Sequence, residues 1–103
     1  MKEEVKNERY VEEDKYGTIY WYKNGQLHRE DGPAVEYTIG GKEWWLNGQE
    51  HREDGPAIEW DDGTKEWFLN GVQYSKEEFN KIQLNKKLEA TLDVKPSVKK
   101  VKI

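Results

Sequence analysis

Large apolar side chains recur along this chain at a fixed step. Trp21, Trp44 and Trp67 lie 23 residues apart, each followed by a second aromatic (Tyr22, Trp45, Phe68) and then by Asn-Gly. Two successive units, 21–43 (WYKNGQLHREDGPAVEYTIGGKE) and 44–66 (WWLNGQEHREDGPAIEWDDGTKE), share the segment HREDGPA. A third opens at 67 as WFLNGVQY and then departs from the pattern. Upstream, Gly17 precedes Gly40 and Gly63 by the same step, so residues 11–20 read as half a unit, with Glu12 standing where Val35 and Ile58 stand later.

Each unit carries two turn signals. Asn24-Gly25, Asn47-Gly48 and Asn70-Gly71 match a two-residue type I′ hairpin loop, in which both central residues need positive φ. Taking Asn-Gly as the loop fixes the pairing. Lys23 then faces Gln26, Tyr22 faces Leu27, Trp21 faces His28, Trp44 faces His51, Glu43 faces Arg52 and Trp67 faces Tyr74. The second signal, Thr38-Ile39-Gly40 and Asp61-Asp62-Gly63, admits two registers. A two-residue loop sets Glu59 against Glu66, two like charges. A three-residue loop with the glycine in the left-handed region sets Glu59 against Lys65 and Glu36 against Lys42. Such pairs are worth only ~0.2–1 kcal/mol each, but both units favour the three-residue loop. Between hairpins, Arg-Glu-Asp-Gly-Pro turns the chain, and the proline holds the glycine before it extended.

The expected fold is therefore mainly β: an antiparallel meander of repeated β-hairpins, with up to nine short strands over residues 10–75. At Ser75 the pattern changes. Ser75-Lys76-Glu77-Glu78 is a capping box, and Phe79, Ile82 and Leu88 follow at helical spacing. This predicts one C-terminal α-helix over 76–92 that lays those three side chains on the sheet face bearing Trp67, closing the array as end units of repeat proteins do. Residues 1–9 are expected to be a flexible N-terminus and 93–103 a Lys-rich extended tail, the whole making a single domain.

A 23-residue period built from Gly-x-x-x-Trp-x-x-Asn-Gly, as in Gly63–Gly71 and Gly40–Gly48, resembles the variant type of the MORN repeat. The HREDGPA segments at 28–34 and 51–57 are similar to a subfamily found in small bacteriophage and giant-virus proteins. The resemblance covers roughly residues 10–75. It implies a twisted sheet of hairpins and a scaffold, a self-associating module or a lipid-associated protein.

Composition narrows this list. Hydrophobic residues make up only 34%, but five Trp, six Tyr and two Phe supply enough burial for a modest core. With no cysteine, disulfides and thiolate metal sites are excluded. There is no apolar run of membrane-spanning length and no leader-like N-terminus, so a soluble, cytoplasmic protein is the expectation. Residues 1–75 hold 9 Lys/Arg against 17 Asp/Glu, a net of −8, and residues 76–103 a net of +4. That balance argues against a phosphate backbone or an anionic membrane as partner.

The chemistry-bearing candidates are few. His28 with Asp31 and His51 with Asp54 could supply metal ligands for a hydrolase, but each His faces a Trp, a packing position that Tyr74 fills in the third unit. Arg29 and Arg52 could grip a small anionic, nucleotide-like ligand, as a guanidinium fork suits phosphate. Alternatively Arg52 pairs with Glu43 and Arg29 stacks on Tyr20, or each binds the adjacent Asp31 or Asp54, for ~0.2–1 kcal/mol per exposed pair. Alternation places Trp21, Trp44 and Trp67 on one face and Tyr22, Trp45 and Phe68 on the other. One helix cannot cover both, so an exposed aromatic strip with Tyr20, Tyr22, Trp45, Phe68, Arg29 and Arg52 is the expected interaction surface. No nucleophile–base arrangement or phosphate loop is present, and no cofactor is expected. The leading reading is a non-enzymatic protein-interaction module binding a host protein or itself. A sequestering protein for an anionic ligand and a metal-dependent hydrolase are the alternatives.

Overall fold

A computed structural model describes residues 8–91. The Lys-rich tail and all but the last two residues of the expected N-terminal segment lie outside that span. Within it the chain is mainly antiparallel β with one C-terminal helix. The strands are β1 (Arg9–Glu13), β2 (Ile19–Lys23), β3 (Gln26–Leu27), β4 (Val35–Glu36), β5 (Lys42–Glu43), β6 (Trp45–Leu46), β7 (Gln49–Glu50), β8 (Ile58–Glu59), β9 (Lys65–Leu69) and β10 (Val72–Tyr74), followed by α1 (Lys76–Thr91). The main sheet runs β1-β2-β4-β5-β8-β9-β10, with β3 paired to β2, and β6-β7 stand as a separate pair.

Ten strands form among the described residues rather than nine, because the middle aromatic segment divides at Trp44. Tryptophan is where each strand changes partners. The Trp44 N–H bonds Ala57 O at 2.7 Å while its carbonyl accepts from His51 N–H at 3.0 Å, and Trp21 does the same with Ala34 and His28. Each aromatic segment thus joins two ranks of hairpins, one closed by Asn-Gly and one by three-residue loops. The Asn-Gly hairpins are tied to their successors by backbone bonds, Gly48 N–H to Leu27 O at 2.9 Å and Gly71 N–H to Glu50 O at 2.9 Å.

Both turn types form as their chemistry dictates. Asn24, Asn47 and Asn70 have φ of 53°, 50° and 51°, each followed by a glycine near 80°, the double positive φ of a type I′ loop. Tyr22 pairs with Leu27, Lys23 with Gln26 and Trp67 with Tyr74. In the other rank Gly40 and Gly63 adopt φ of 110° and 92°, and Glu36 pairs with Lys42 and Glu59 with Lys65. The three-residue loop, chosen on charge, is the one present.

A second bond recurs beside each of these loops. Tyr20 donates its hydroxyl to Asp14 Oδ2 at 3.1 Å, Tyr37 to Glu43 Oε2 at 2.6 Å, and Trp60 its indole N–H to Glu66 Oε2 at 2.8 Å. Burial first, and then the bond to a carboxylate, raise the phenol pKa of both Tyr20 and Tyr37. Burial pushes Asp14 up, but N–H donors from Tyr16 and Thr18 and the Tyr20 hydroxyl outweigh it and hold the carboxyl below its usual range.

The buried apolar side chains among the described residues are Ala34, Val35, Ala57, Ile58, Leu69 and Phe79. They come from the segment after each Pro, from β9 and from α1, so the core is a line running beneath the repeats. At the end of that line the capping box closes: Ser75 N–H to Glu78 Oε1 and Glu78 N–H to Ser75 Oγ, both 3.0 Å. Helix α1 folds back on β9 and β10, and Gln83 Nε2 donates to Glu53 O at 2.9 Å. Phe79 is 4% exposed and Ile82 half-buried, but Leu88 is 48% exposed, contrary to its expected place on the sheet. The reason is length. Sixteen helical residues span about 24 Å, whereas a five-residue strand spans about 17 Å, so the last turns outrun what they could pack against.

Candidate functional site

The shared segment builds the same clasp twice, with a guanidinium at its centre. In the first unit Arg29 Cζ lies 3.8 Å from the Trp21 ring centroid. Its Nε donates to Asp31 Oδ1 at 3.0 Å, and its Nη1 to Glu36 Oε2 at 3.0 Å and to Pro33 O at 3.2 Å. In the second unit Arg52 lies 3.7 Å from the Trp44 centroid and bonds Asp54 (2.9 Å), Glu59 (3.1 Å) and Pro56 O (3.0 Å). Glycine gives clearance where the loop crosses the guanidinium. A Cβ on Gly32 or Gly55 would sit 3.1 Å from the arginine Cζ, tighter than such contacts normally are. Ala34 and Ala57, wholly buried just after the proline, leave no room for a larger side chain.

The expected pairings of Arg52 with Glu43 and of Arg29 with Tyr20 are therefore corrected; the adjacent aspartates, the other expected partners, are the ones found. The chain bends away after the histidine, and the Arg52 N–H bonds Phe68 O of the next unit at 3.2 Å, which removes Arg52 from the hairpin ladder. Glu43 instead accepts from Tyr37 and from Trp45 Nε1 at 2.8 Å. The arginine is also more than an exposed surface pair, since a carbonyl, two carboxylates and an indole face surround it. Arg52→Ala is expected to lower unfolding free energy by about 2 kcal/mol, and Arg52→Lys to recover less than half, because an ammonium lacks the planar fork. Urea denaturation of the three proteins measures this; a lysine variant as stable as the parent would show that charge alone suffices.

The histidines link one unit to the next. His28 Nδ1 accepts the backbone N–H of Asn47 at 2.9 Å, and His51 Nδ1 accepts that of Asn70 at 2.9 Å. The ring proton therefore sits on Nε2, which faces Glu30 at 3.0 Å in the first unit and Glu53 at 3.2 Å in the second. The His28 bond, followed by nearby Arg9, holds Glu30 below the usual carboxylate range. Both nitrogens of each ring are occupied, while Asp31 and Asp54 are taken by arginine. The sequence-predicted metal set His28, Asp31, His51 and Asp54 is not brought together, and no cluster of three or more ligating residues occurs among the described residues.

Two grooves follow the clasps. One of about 350 Å³ lies between β1 and the first clasp, lined by Tyr10, Val11, Trp21, His28 and Arg29. The other, about 540 Å³, lies between the two clasps, with Trp44, Leu46 and the carboxylates of Glu30, Asp31, Glu53 and Asp54 on its walls. Both arginines that could hold an anion there already have two carboxylate partners.

The expected aromatic strip is present but not exposed. Tyr20, Tyr22, Trp45 and Phe68 are all half-buried. Tyr22 stacks between Tyr10 at 5.0 Å and Tyr20 at 6.4 Å, so the tyrosines shield one another, and Trp45 bonds Glu43. The opposite face carries the arginines over Trp21 and Trp44. The most exposed large apolar side chains among the described residues lie elsewhere, on the rim of three-residue loops: Tyr16 is 72% and Ile39 73% exposed, beside Tyr37 and Trp60, whose rings are 6.2 Å apart. Large apolar residues at loop tips, where polar ones are the norm, were the available signal for this rim. Comparison of the chain with protein-family models, characterised proteins and solved structures finds no match.

Proposed function

We propose that this chain is a non-enzymatic protein-interaction module of the MORN-variant type, a small phage-type cytoplasmic protein that binds a host protein or itself through exposed apolar and aromatic side chains. One observation carries the reading: the groups with reactive or ligand-binding chemistry are consumed by the repeat's own bonds. Each arginine is held by two carboxylates and a carbonyl, and each histidine by an amide and a carboxylate. What is left for a partner is apolar surface, and the rim of Tyr16, Ile39 and Trp60 offers it at the loop tips. The anionic-ligand and hydrolase alternatives need Arg29, Arg52 or the histidines free.

The test uses the double variant Tyr16→Ser/Ile39→Ser, which changes two highly exposed side chains and leaves both clasps intact. Its melting temperature is expected within about 2 °C of the parent's, as surface substitutions usually lie within about 0.5 kcal/mol. Its capture of a partner by cross-linking in lysate is expected to fall at least about tenfold. A thermal shift with nucleotides, phosphate or divalent metal in the parent protein would promote the alternatives instead.

A further inference from the structure

Strand β1 ends the main sheet, and its outward edge has no partner strand among the described residues. Which of its backbone groups point outward follows from β2. The Trp21 N–H and C=O are committed to Ala34 and His28, away from β1, and Val11 is the residue directly opposite Trp21. Glu8 bonds Asn24 by both its N–H (2.9 Å, to Oδ1) and its C=O (2.7 Å), so the even-numbered residues face β2. Alternation along the strand leaves the N–H and C=O groups of Arg9, Val11 and Glu13 directed outward. All five residues of β1 are exposed.

This edge is complementary to itself. An antiparallel two-fold pairing must set outward residues against outward residues, and the register centred on Val11 does so: Val11 faces Val11 of the second copy, and Arg9 faces Glu13 twice. Of the two neighbouring allowed registers, the one centred on Glu12 would put Glu12 against Glu12 and Val11 against Glu13, and the one centred on Tyr10 would put Arg9 against Val11 and Glu8 against Glu12 twice, so both bring like charges together. We infer that β1 joins a second copy of this chain edge to edge, in the register Val11 to Val11 with Arg9 opposite Glu13, making one sheet continuous across the dimer. The Arg9 guanidinium is exposed, and its near partner among the described residues, Glu30, is 3.7 Å away and already holds His28. The inference specifies the self-binding arm of the proposed function and is independent of the loop-tip rim.

The pairing rule makes the test specific. Sedimentation velocity of the full chain from about 10 μM to 1 mM is expected to show a reversible monomer–dimer equilibrium. Arg9→Glu and Glu13→Arg each create two like-charge pairs across the axis and should each weaken dimerisation about tenfold. Combining them in one chain reverses both pairs and should restore affinity to within about threefold of the parent. Val11→Pro removes an outward N–H without costing a bond to β2, so it should abolish the dimer while circular dichroism and tryptophan fluorescence remain native. A parent protein monomeric throughout, a double variant no better than the single ones, or a Val11→Pro protein that dimerises like the parent would each overturn the inference. None of these outcomes touches the partner-capture result for Tyr16→Ser/Ile39→Ser, which decides the broader reading separately.

Discussion

Replacing Trp44 by alanine is expected to cost about 3–4 kcal/mol, a large share of what a domain of this size has. The indole is the floor on which Arg52 lies at 3.7 Å, and its backbone is where the strand passes from one rank of hairpins to the other. Removing it opens a cavity beneath the guanidinium and leaves that cation with its hydrogen bonds but no face to rest on. Trp45→Ala should cost about 1 kcal/mol less, because Glu43, which loses the indole donor, keeps the Tyr37 hydroxyl at 2.6 Å. Chemical denaturation of both variants makes the comparison. Adding Arg52→Ala to Trp44→Ala should then cost clearly less than it does alone, as the two side chains act as one unit. Equal, small losses at Trp44 and Trp45, or strictly additive effects with Arg52, would mean that the clasp does not organise the repeat.

Phe79→Ala is expected to be comparably damaging, about 3–4 kcal/mol, while Leu88→Ala should fall within about 0.5 kcal/mol of the parent. Phe79 stands where the earlier units have proline, and it is the only buried side chain that α1 contributes to the core. Leu88 lies half in solvent about two and a half turns further on. The two substitutions therefore separate a helix that closes the sheet from one merely attached to it. If thermal unfolding finds them equal, α1 is an appendage and the line of core residues ends at Leu69.

What could be read from the sequence was whatever depends on local backbone chemistry. The Asn-Gly loops, the glycine in each three-residue loop and the Ser75–Glu78 capping box are requirements on a few adjacent residues, and all formed as expected. The register of Glu36 with Lys42 and of Glu59 with Lys65 followed from opposite charges within one hairpin. The arginine was misplaced because its partners come from a bend rather than a ladder. Strand-pairing logic carried Arg52 opposite Glu43, whereas the turn after His51 swings it onto Trp44 and toward Glu59, seven residues ahead. The histidine contacts were out of reach for a different reason. An imidazole accepting an amide 19 residues away is a contact between units, visible only once their stacking is known. Leu88 fits the helical period perfectly well; periodicity says which side of a helix is apolar, not how far its support extends.

The aromatic–carboxylate bonds beside the three-residue loops bear on how this chain could change over time. Asp14 with Tyr20, Tyr37 with Glu43, and Trp60 with Glu66 are the same two positions in three successive units, each holding one donor ring and one acid. In the first unit the acid precedes the ring; in the other two the order is reversed. Compared position by position, the copies look as though they had drifted freely here, with Asp, Tyr and Trp at one site and Tyr, Glu and Glu at the other. Taken two at a time they have hardly drifted at all. The geometry accommodates either order of ring and acid, and a single change that put two acids or two rings there would lose the bond unless the other end changed with it.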